Sequence, residues 1–303
     1  MHRFNIDFMA SRRLAILISS TLVILSLLTL FSRGLNLGID FTGGVVIELE
    51  YKQAPDLEKI RTTIASSDLG EAVVQNFGSA RDVLIRLAPS ASRSNAQIST
   101  RVLELLPGAT MRRVEFVGPQ VGDELTEDGG LAILWALIGI LIYVAVRFQS
   151  KFAPGAVIAL IHDVTITLGV FAALQMEFDL PSLAAILAVI GYSLNDTIVV
   201  YDRIRENFPR LRKAGPIEVI NISLNQTLSR TLMTSFTTLL VVLALFFLGG
   251  DMIHDFAAAL LIGIVVGTYS SIYVASTSLV SLGVSRQDLI PVQKEGANPD
   301  RHP

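Results

Sequence analysis

The 303-residue chain has no cysteine, one tryptophan and a charged fraction of only 17%. The absence of cysteine excludes disulfide scaffolds, thiolate metal sites and cysteine nucleophiles. It is compatible with any redox compartment. Soluble proteins carry about 25% charged residues on average, and here the deficit is uneven, with long stretches that hold no charge. Lys and Arg number 24 against 27 Asp and Glu, a net charge of −3. No basic excess points to nucleic acid. What fills the chain is apolar, at 51% hydrophobic residues. That excludes a disordered chain and argues against a single soluble globule.

A bilayer core takes about 20 mostly apolar residues per helix. Four charge-free stretches qualify: Leu14 to Ser32, Gly129 to Val146, Thr231 to Gly250 and Phe256 to Ser285. Two more are apolar but interrupted. Phe152 to Met176 carries His162 and Asp163, and Leu180 to Tyr201 carries Asn195 and Asp196. The expectation is six transmembrane helices. The first follows Arg12 and Arg13, as a signal peptide would. Its apolar run is longer than a signal core, and Ser32-Arg33-Gly34 is a poor cleavage site, so it is read as a retained anchor.

Positive charge sets the expected orientation. Arg3, Arg12 and Arg13 precede span one, and Arg147 and Lys151 follow span two. Arg203, Arg205, Arg210, Arg212 and Lys213 follow span four, and Arg286, Lys294 and Arg301 follow span six. The short loops 177–181 and 251–255 have no Lys or Arg. Both termini are expected in the cytoplasm, with residues 34–128 exported.

That segment has soluble composition. Val45 to Tyr51 reads as a strand, Pro55 opens a helix, and Ala72 to Phe77 and Asp82 to Leu87 read as strands. Asn95 to Leu106 reads as a helix capped by Asn95, and Met111 to Val117 as a last strand. The order β-α-β-β-α-β is ferredoxin-like. The expected fold class is thus an α-helical polytopic membrane protein with a small α+β ferredoxin-like exported domain between helices 1 and 2. The expected divisions are 1–33 for the N-terminus and first helix, 34–128 exported, 129–285 for helices 2–6, and 286–303 as a cytoplasmic tail. The exported segment has no histidine and no acid–base cluster. It suits protein contact better than catalysis, and its plainer reading is a spacer.

Three charges stand within the apolar stretches or at their edge: Asp163 and Asp196 inside, and Arg230 at the entry to the fifth span. A charge at the bilayer centre costs about 2.5 to 3.5 kcal/mol or more, and usually faces the bundle interior with a partner. Counting 1.5 Å of rise per residue places Asp196 and Arg230 at depths that a long arginine partly bridges. Gln226, Arg230, Thr234 and Thr237 or Thr238 form a polar row at helical spacing. Tyr192 or Ser193 lies one turn before Asp196. Gly263, Gly267 and Ser271 form a small-residue face for close helix contact. Such faces could enclose a hydrated cavity. Low dielectric favours the neutral carboxyl and a nearby arginine favours the ionised one. Opening and closing an Asp196–Arg230 pair would therefore switch a proton on and off. The plainer readings are that Arg230 snorkels to the headgroups and that Asp196 is a structural hydrogen-bonding group. Asp163 could relay protons, pair with His162 or stabilise the bundle, although positions i and i+1 face different ways.

The motifs, taken in order, carry more. They are Asp40-Phe41-Thr42-Gly43-Gly44, Gly118-Pro119-Gln120-Val121-Gly122, His162-Asp163-Val164, Gly191 to Arg203 including Asn195, Gln226 to Thr231, and Gly267 to Tyr273. Together they closely resemble the SecF family of the SecDF protein-export complex, within the resistance-nodulation-division superfamily. The resemblance runs from about Arg13 to Ser285. It implies a bacterial cytoplasmic-membrane subunit, without enzymatic activity or cofactor. It implies a SecD partner and work beside the SecYEG channel and accessory subunits on unfolded polypeptide. It implies coupling to protons, with sodium ions used by some members, and gives the relay role to Asp196 and Arg230. The alternative is a proton-driven small-molecule or lipid exporter of the same superfamily. Those exporters usually carry far larger exported domains. A membrane enzyme is disfavoured, since neither HExxH nor GxSxG occurs. The buried charges count against a passive scaffold.

Overall fold

The computed structural model describes residues 5–70, 72–89, 94–148, 151–250 and 253–285. The expected tail 286–303, and Arg3, lie outside the described residues. Helix α1 spans Arg12–Arg33 and leads through a two-residue strand β1 (Asn36–Leu37) to a single helical turn α2 (Ile39–Thr42). Then come β2 (Gly44–Tyr51), α3 (Leu57–Ala65), β3 (Ala72–Phe77), β4 (Ser79–Leu87), α4 (Asn95–Leu105) and β5 (Ala109–Val117). Strand β2 alternates between buried Val45, Ile47 and Leu49 and less buried Val46, Glu48 and Glu50, the period of a half-covered sheet. The four strands form an antiparallel sheet in the order β3-β4-β2-β5. Ile60 and Ile64 of α3 and Ile98 and Val102 of α4 close its core against Ile47, Leu49, Val83 and Ile85.

Asp56 caps α3, accepting from the Glu58 and Lys59 amides. The cap of α4 is Ser94, one residue before the expected Asn95. Its hydroxyl accepts from the Gln97 amide, while the Gln97 side chain accepts from the Ser94 amide. This reciprocal capping box satisfies two orphan donors at once.

The remaining chain is helical: α5 (Pro119–Arg147), α6 (Phe152–Leu174), α7 (Leu180–Arg210), α8 (Pro216–Leu248) and α9 (His254–Ser270). A two-residue strand β6 (Glu177–Phe178) between α6 and α7 pairs in parallel with β1. A π-helical turn at Ser271–Ala275 joins α9 to α10 (Ser276–Ser281). Among the described residues, six helices are long and apolar enough to cross a membrane: α1, α5, α6, α7, α8 and the run His254–Ser281. In α6, α7 and His254–Ser281 at least half of the apolar window is buried, against 17% in α1 and α8 and 11% in α5. The first three form the interior of the bundle.

Three helices overrun their charge-free segments. Helix α5 starts at Pro119, ten residues before the expected Gly129, because Pro119 at the first helical position has its φ preset. Helix α7 continues to Arg210 and α8 starts at Pro216, so the basic residues Arg203, Arg205 and Arg210 are helical rather than in a loop. Packing explains it. Val200, Tyr201, Ile204 and Phe208 of α7 meet Val219, Ile220 and Leu224 of α8 in one apolar cluster. Asn207 donates to Ser223 Oγ at 2.8 Å and to Gln226 Oε1 at 2.9 Å. These contacts carry both helices past the stretch the apolar count marks.

Candidate functional site

Asp196 lies on α7 and is 2% exposed. Its Oδ2 has no hydrogen-bond partner. An unpaired carboxylate oxygen in an apolar span is costly. Arg230 and Ser235 of α8 both act on it, the arginine through its charge. Arg230 is itself exposed, and among the described residues no direct ion pair joins it to Asp196. The two expected partners therefore interact across a gap. Around them, the buried hydroxyls of Thr197 and Tyr192 on α7 and Thr231 on α8 are also unpartnered. Unpartnered polar atoms thus gather on two packed helices, at a buried place where such groups ordinarily need a partner.

The interior row of α8 differs from the expected one. Ser223, Thr227, Thr231 and Ser235 are the buried polar residues, at four-residue spacing. Gln226, Arg230 and Thr237 are exposed, and Thr234 and Thr238 half-buried. The reason is size. Serine and threonine let helices approach closely, whereas the longer Gln226 reaches α7 from an exposed position, at Asn207. The row also joins α8 to α9, since Ser235 and Thr268 share a hydrogen bond at 2.7 Å. Thr234 back-bonds to the Arg230 and Thr231 carbonyls, and Asn195 is exposed.

Asp163 on α6 is 1% exposed and centres a second network. Its Oδ2 accepts from Ser193 of α7 at 2.5 Å and Ser270 of α9 at 2.7 Å. Its Oδ1 meets His162 Nδ1 at 2.8 Å. The carboxylate thus ties three helices together. Of the three options for Asp163, the His162 pair is formed, although the two residues are adjacent on the helix. Ser193 lies one turn before Asp196 on α7. Gly263 and Gly267 let α9 pack close to α7: a Cβ at either would press on Val189 or Ser193 of α7. Ser271, the third expected small residue, is buried at the start of the π turn, and Ser270 carries the hydroxyl to Asp163. Ser193 and Ser270 had a sequence signal, since each is a small polar residue on an apolar helix inside a named motif.

The motif after α1 has a different task. Asp40 accepts from the Leu180 amide at 2.9 Å, holding the start of α7. Gly43 and Gly44 have φ of 67° and 131°, values that disfavour side chains. The turn lies against the start of α5, where Thr126 donates to the Phe41 carbonyl at 3.3 Å. A Cβ at Gly122 would stand 2.8 Å from the Gly43 nitrogen. Motifs 80 residues apart in sequence therefore form one junction between sheet and bundle.

Two family models match the chain: "SecD/SecF GG Motif" over residues 29–55 and "Protein export membrane protein SecD/SecF, C-terminal" over residues 98–285. The "Protein translocase subunit SecF" of Vibrio alginolyticus is 54% identical, over 99% of this chain and 97% of that one. Its counterpart in Pseudomonas aeruginosa is 49% identical over 98% of each. The chain belongs to the SecF family. The crystal structure of SecDF, a translocon-associated membrane protein from Thermus thermophilus, superposes with a TM-score of 0.84 at 42% identity. That match covers 92% of this SecF-family chain and 38% of the SecDF chain, so the solved protein is much the longer. A SecDF structure in a super-membrane-facing form gives a TM-score of 0.68 at 41% identity. For a SecF-family member, Asp40, Gly43 and Gly44 fall within the first family match and Asp163, Asp196 and Arg230 within the second.

Proposed function

We propose that this multi-pass subunit acts with a SecD-type partner to complete polypeptide export across the bacterial cytoplasmic membrane, driven by the proton motive force. The observation that carries it is Asp196, buried with an unpaired oxygen within reach of the Arg230 charge, in a chain similar to SecF over nearly its whole length. Holding and releasing a proton at Asp196 alternates two states of the α7–α8 contact, and the gradient biases between them. The coupling ion is read as a proton, with sodium as the other ion a carboxylate takes. The chain is not read as an enzyme, and no cofactor is called for.

The sheet domain is read as ferredoxin-like and exported, from strand order β3-β4-β2-β5 with helices after β2 and β4. Both termini are read as cytoplasmic, from lysine and arginine placement. The SecYEG channel and accessory membrane subunits are the proposed neighbours, and unfolded polypeptide the cargo. The sparsely buried faces of α1, α5 and α8 are available to lipid and to such partners. The test is Asp196→Asn in an export-completion assay run with and without a proton gradient. The proposal expects loss of the gradient-dependent part. Normal export with retained gradient dependence would sink it. Arg230→Lys keeps the charge and loses the planar fork, and a defect there supports a specific geometry.

A further inference from the structure

A cavity of about 500 Å³ lies between α1, α6 and the π turn with α10. Its lining runs from Ser281 and Leu282, at the end of α10, inward to Ser19, Thr165 and His162. Ser20, Thr277 and Ser278 add hydroxyls along the way. At its inner end stands His162, 6% exposed. Its Nδ1 is bound to Asp163, and its Nε2 is buried and has no partner. The cavity wall is mostly apolar, with Ile16, Val23, Ile158 and Ile161 between the hydroxyls, so the buried imidazole nitrogen without a partner is the polar group there that lacks a hydrogen bond and can meet water.

The surroundings hold that ring in place. His162 stacks on Tyr269 with centroids 6.2 Å apart, and the Tyr269 hydroxyl reaches α1, at the Ala15 carbonyl and Ser19. The π turn places Tyr273 in the cavity wall, and such turns often occur at functional sites. On the far side of the ring, Asp163 leads through Ser193 to the turn that carries Asp196. The groups that face His162 are therefore Asp163 on its own helix, Tyr269 and Tyr273 on the α9 run, and uncharged Ser19 on α1.

We infer that His162 is a proton carrier joining this cavity to Asp163, and through Ser193 to the turn of α7 that carries Asp196. The step balances without any other reactant. A hydronium ion in the cavity gives a proton to Nε2 and is left as water, and Nδ1 gives its proton to Asp163 Oδ1. One neutral tautomer becomes the other, and one proton has moved from hydronium to carboxylate. The reverse step resets the ring. The inference rests on the Asp196 reading above and adds a second carboxylate and a route to water.

The test uses the full chain reconstituted with its SecD-type partner in vesicles loaded with a pH-sensitive dye. His162→Asn keeps an amide donor for Asp163 but cannot exchange a proton. It should lower gradient-driven proton entry at least about tenfold and flatten the dependence of flux on pH. Wild-type flux and profile in His162→Asn would overturn the inference. Ser20→Cys provides a second reading, because the chain has no other cysteine. A charged, membrane-impermeant thiol reagent should modify it, since thiolate forms only where water reaches. No modification from either side would mean a dry cavity and would also overturn the inference. Asp196→Asn runs in parallel. If it abolishes flux while His162→Asn does not, the inference fails and the Asp196 reading stands. If Asp196→Asn leaves flux intact, that reading fails and takes the inference with it.

Discussion

Gly263→Ala should loosen the seam between α7 and α9. A Cβ built at Gly263 overlaps Val189 Cγ2 and stands 2.6 Å from Val189 Cγ1 and 2.9 Å from Val189 Cβ. Rotating Val189 can relieve the two methyl contacts and not the third, because Cβ is fixed to the backbone. Valine is also stiff in a helix. An ordinary carbon–carbon contact is about 3.5 Å, so the helices must part by roughly 0.6 Å at this point. Overpacking of this kind costs about 1–3 kcal/mol. The separation reaches the next turn, where Ser193 and Ser270 hold Asp163 Oδ2 at 2.5 and 2.7 Å. Denaturant unfolding of the purified chain in detergent measures the loss. Val189→Gly in the same chain removes all three clashing carbons, at a helix-propensity cost of about 1 kcal/mol. A double-mutant cycle isolates the steric part, and the coupling should be about 1 kcal/mol or more in the restoring direction. Wild-type stability in Gly263→Ala would refute the reasoning, and so would a cycle in which Val189→Gly restores nothing.

Three further outcomes are expected. Gly44→Ala places a Cβ 2.5 Å from the Leu87 carbonyl oxygen at a φ of 131°; it should open the β2–β4 ladder at its end, seen as faster amide exchange at Val45 and Leu87. Ser94→Ala removes the capping box of α4 and should cost about 1 kcal/mol in unfolding of the sheet domain, with no effect on the bundle. Arg86 of β4 is 8% exposed and paired with Glu177 in the α6–α7 loop. Burial lowers its pKa below the usual guanidinium range, against the opposing charges of Asp179 and Asp255. Arg86→Met should leave Glu177 facing those carboxylates and cost about 3 kcal/mol. Export should fall with it, as Asp179 caps α7 and Asp255 opens α9. Unchanged unfolding and export in Arg86→Met would show that the pair carries no load between sheet and bundle.

The strands of the sheet domain were legible because one face of each is buried. Period-two alternation then shows in the residues themselves, as at Val45, Ile47 and Leu49. The six apolar helices were legible for the opposite reason, since lipid demands a run and not a pattern. Helix ends outside that run were hidden. The stop of α7 at Arg210 depends on Ile204 and Phe208 meeting α8, and nothing local announces a partner helix. The polar row of α8 was misread by one position. Choosing the row through Arg230 followed the charge, while packing selects the row whose side chains are small, Ser223 to Ser235. The same lesson applies to Asp163. Sequence spacing set its face against that of His162, and left a pair with His162 as one option among three. In three dimensions its partners are hydroxyls from α7 and α9 and an imidazole from its own helix, none of which contributes to a charge count. A buried charge advertises itself in a sequence, but the neutral groups that make it tolerable do not. For that reason the arginine was the partner easiest to expect for Asp196, while the serines that hold Asp163 were harder to name.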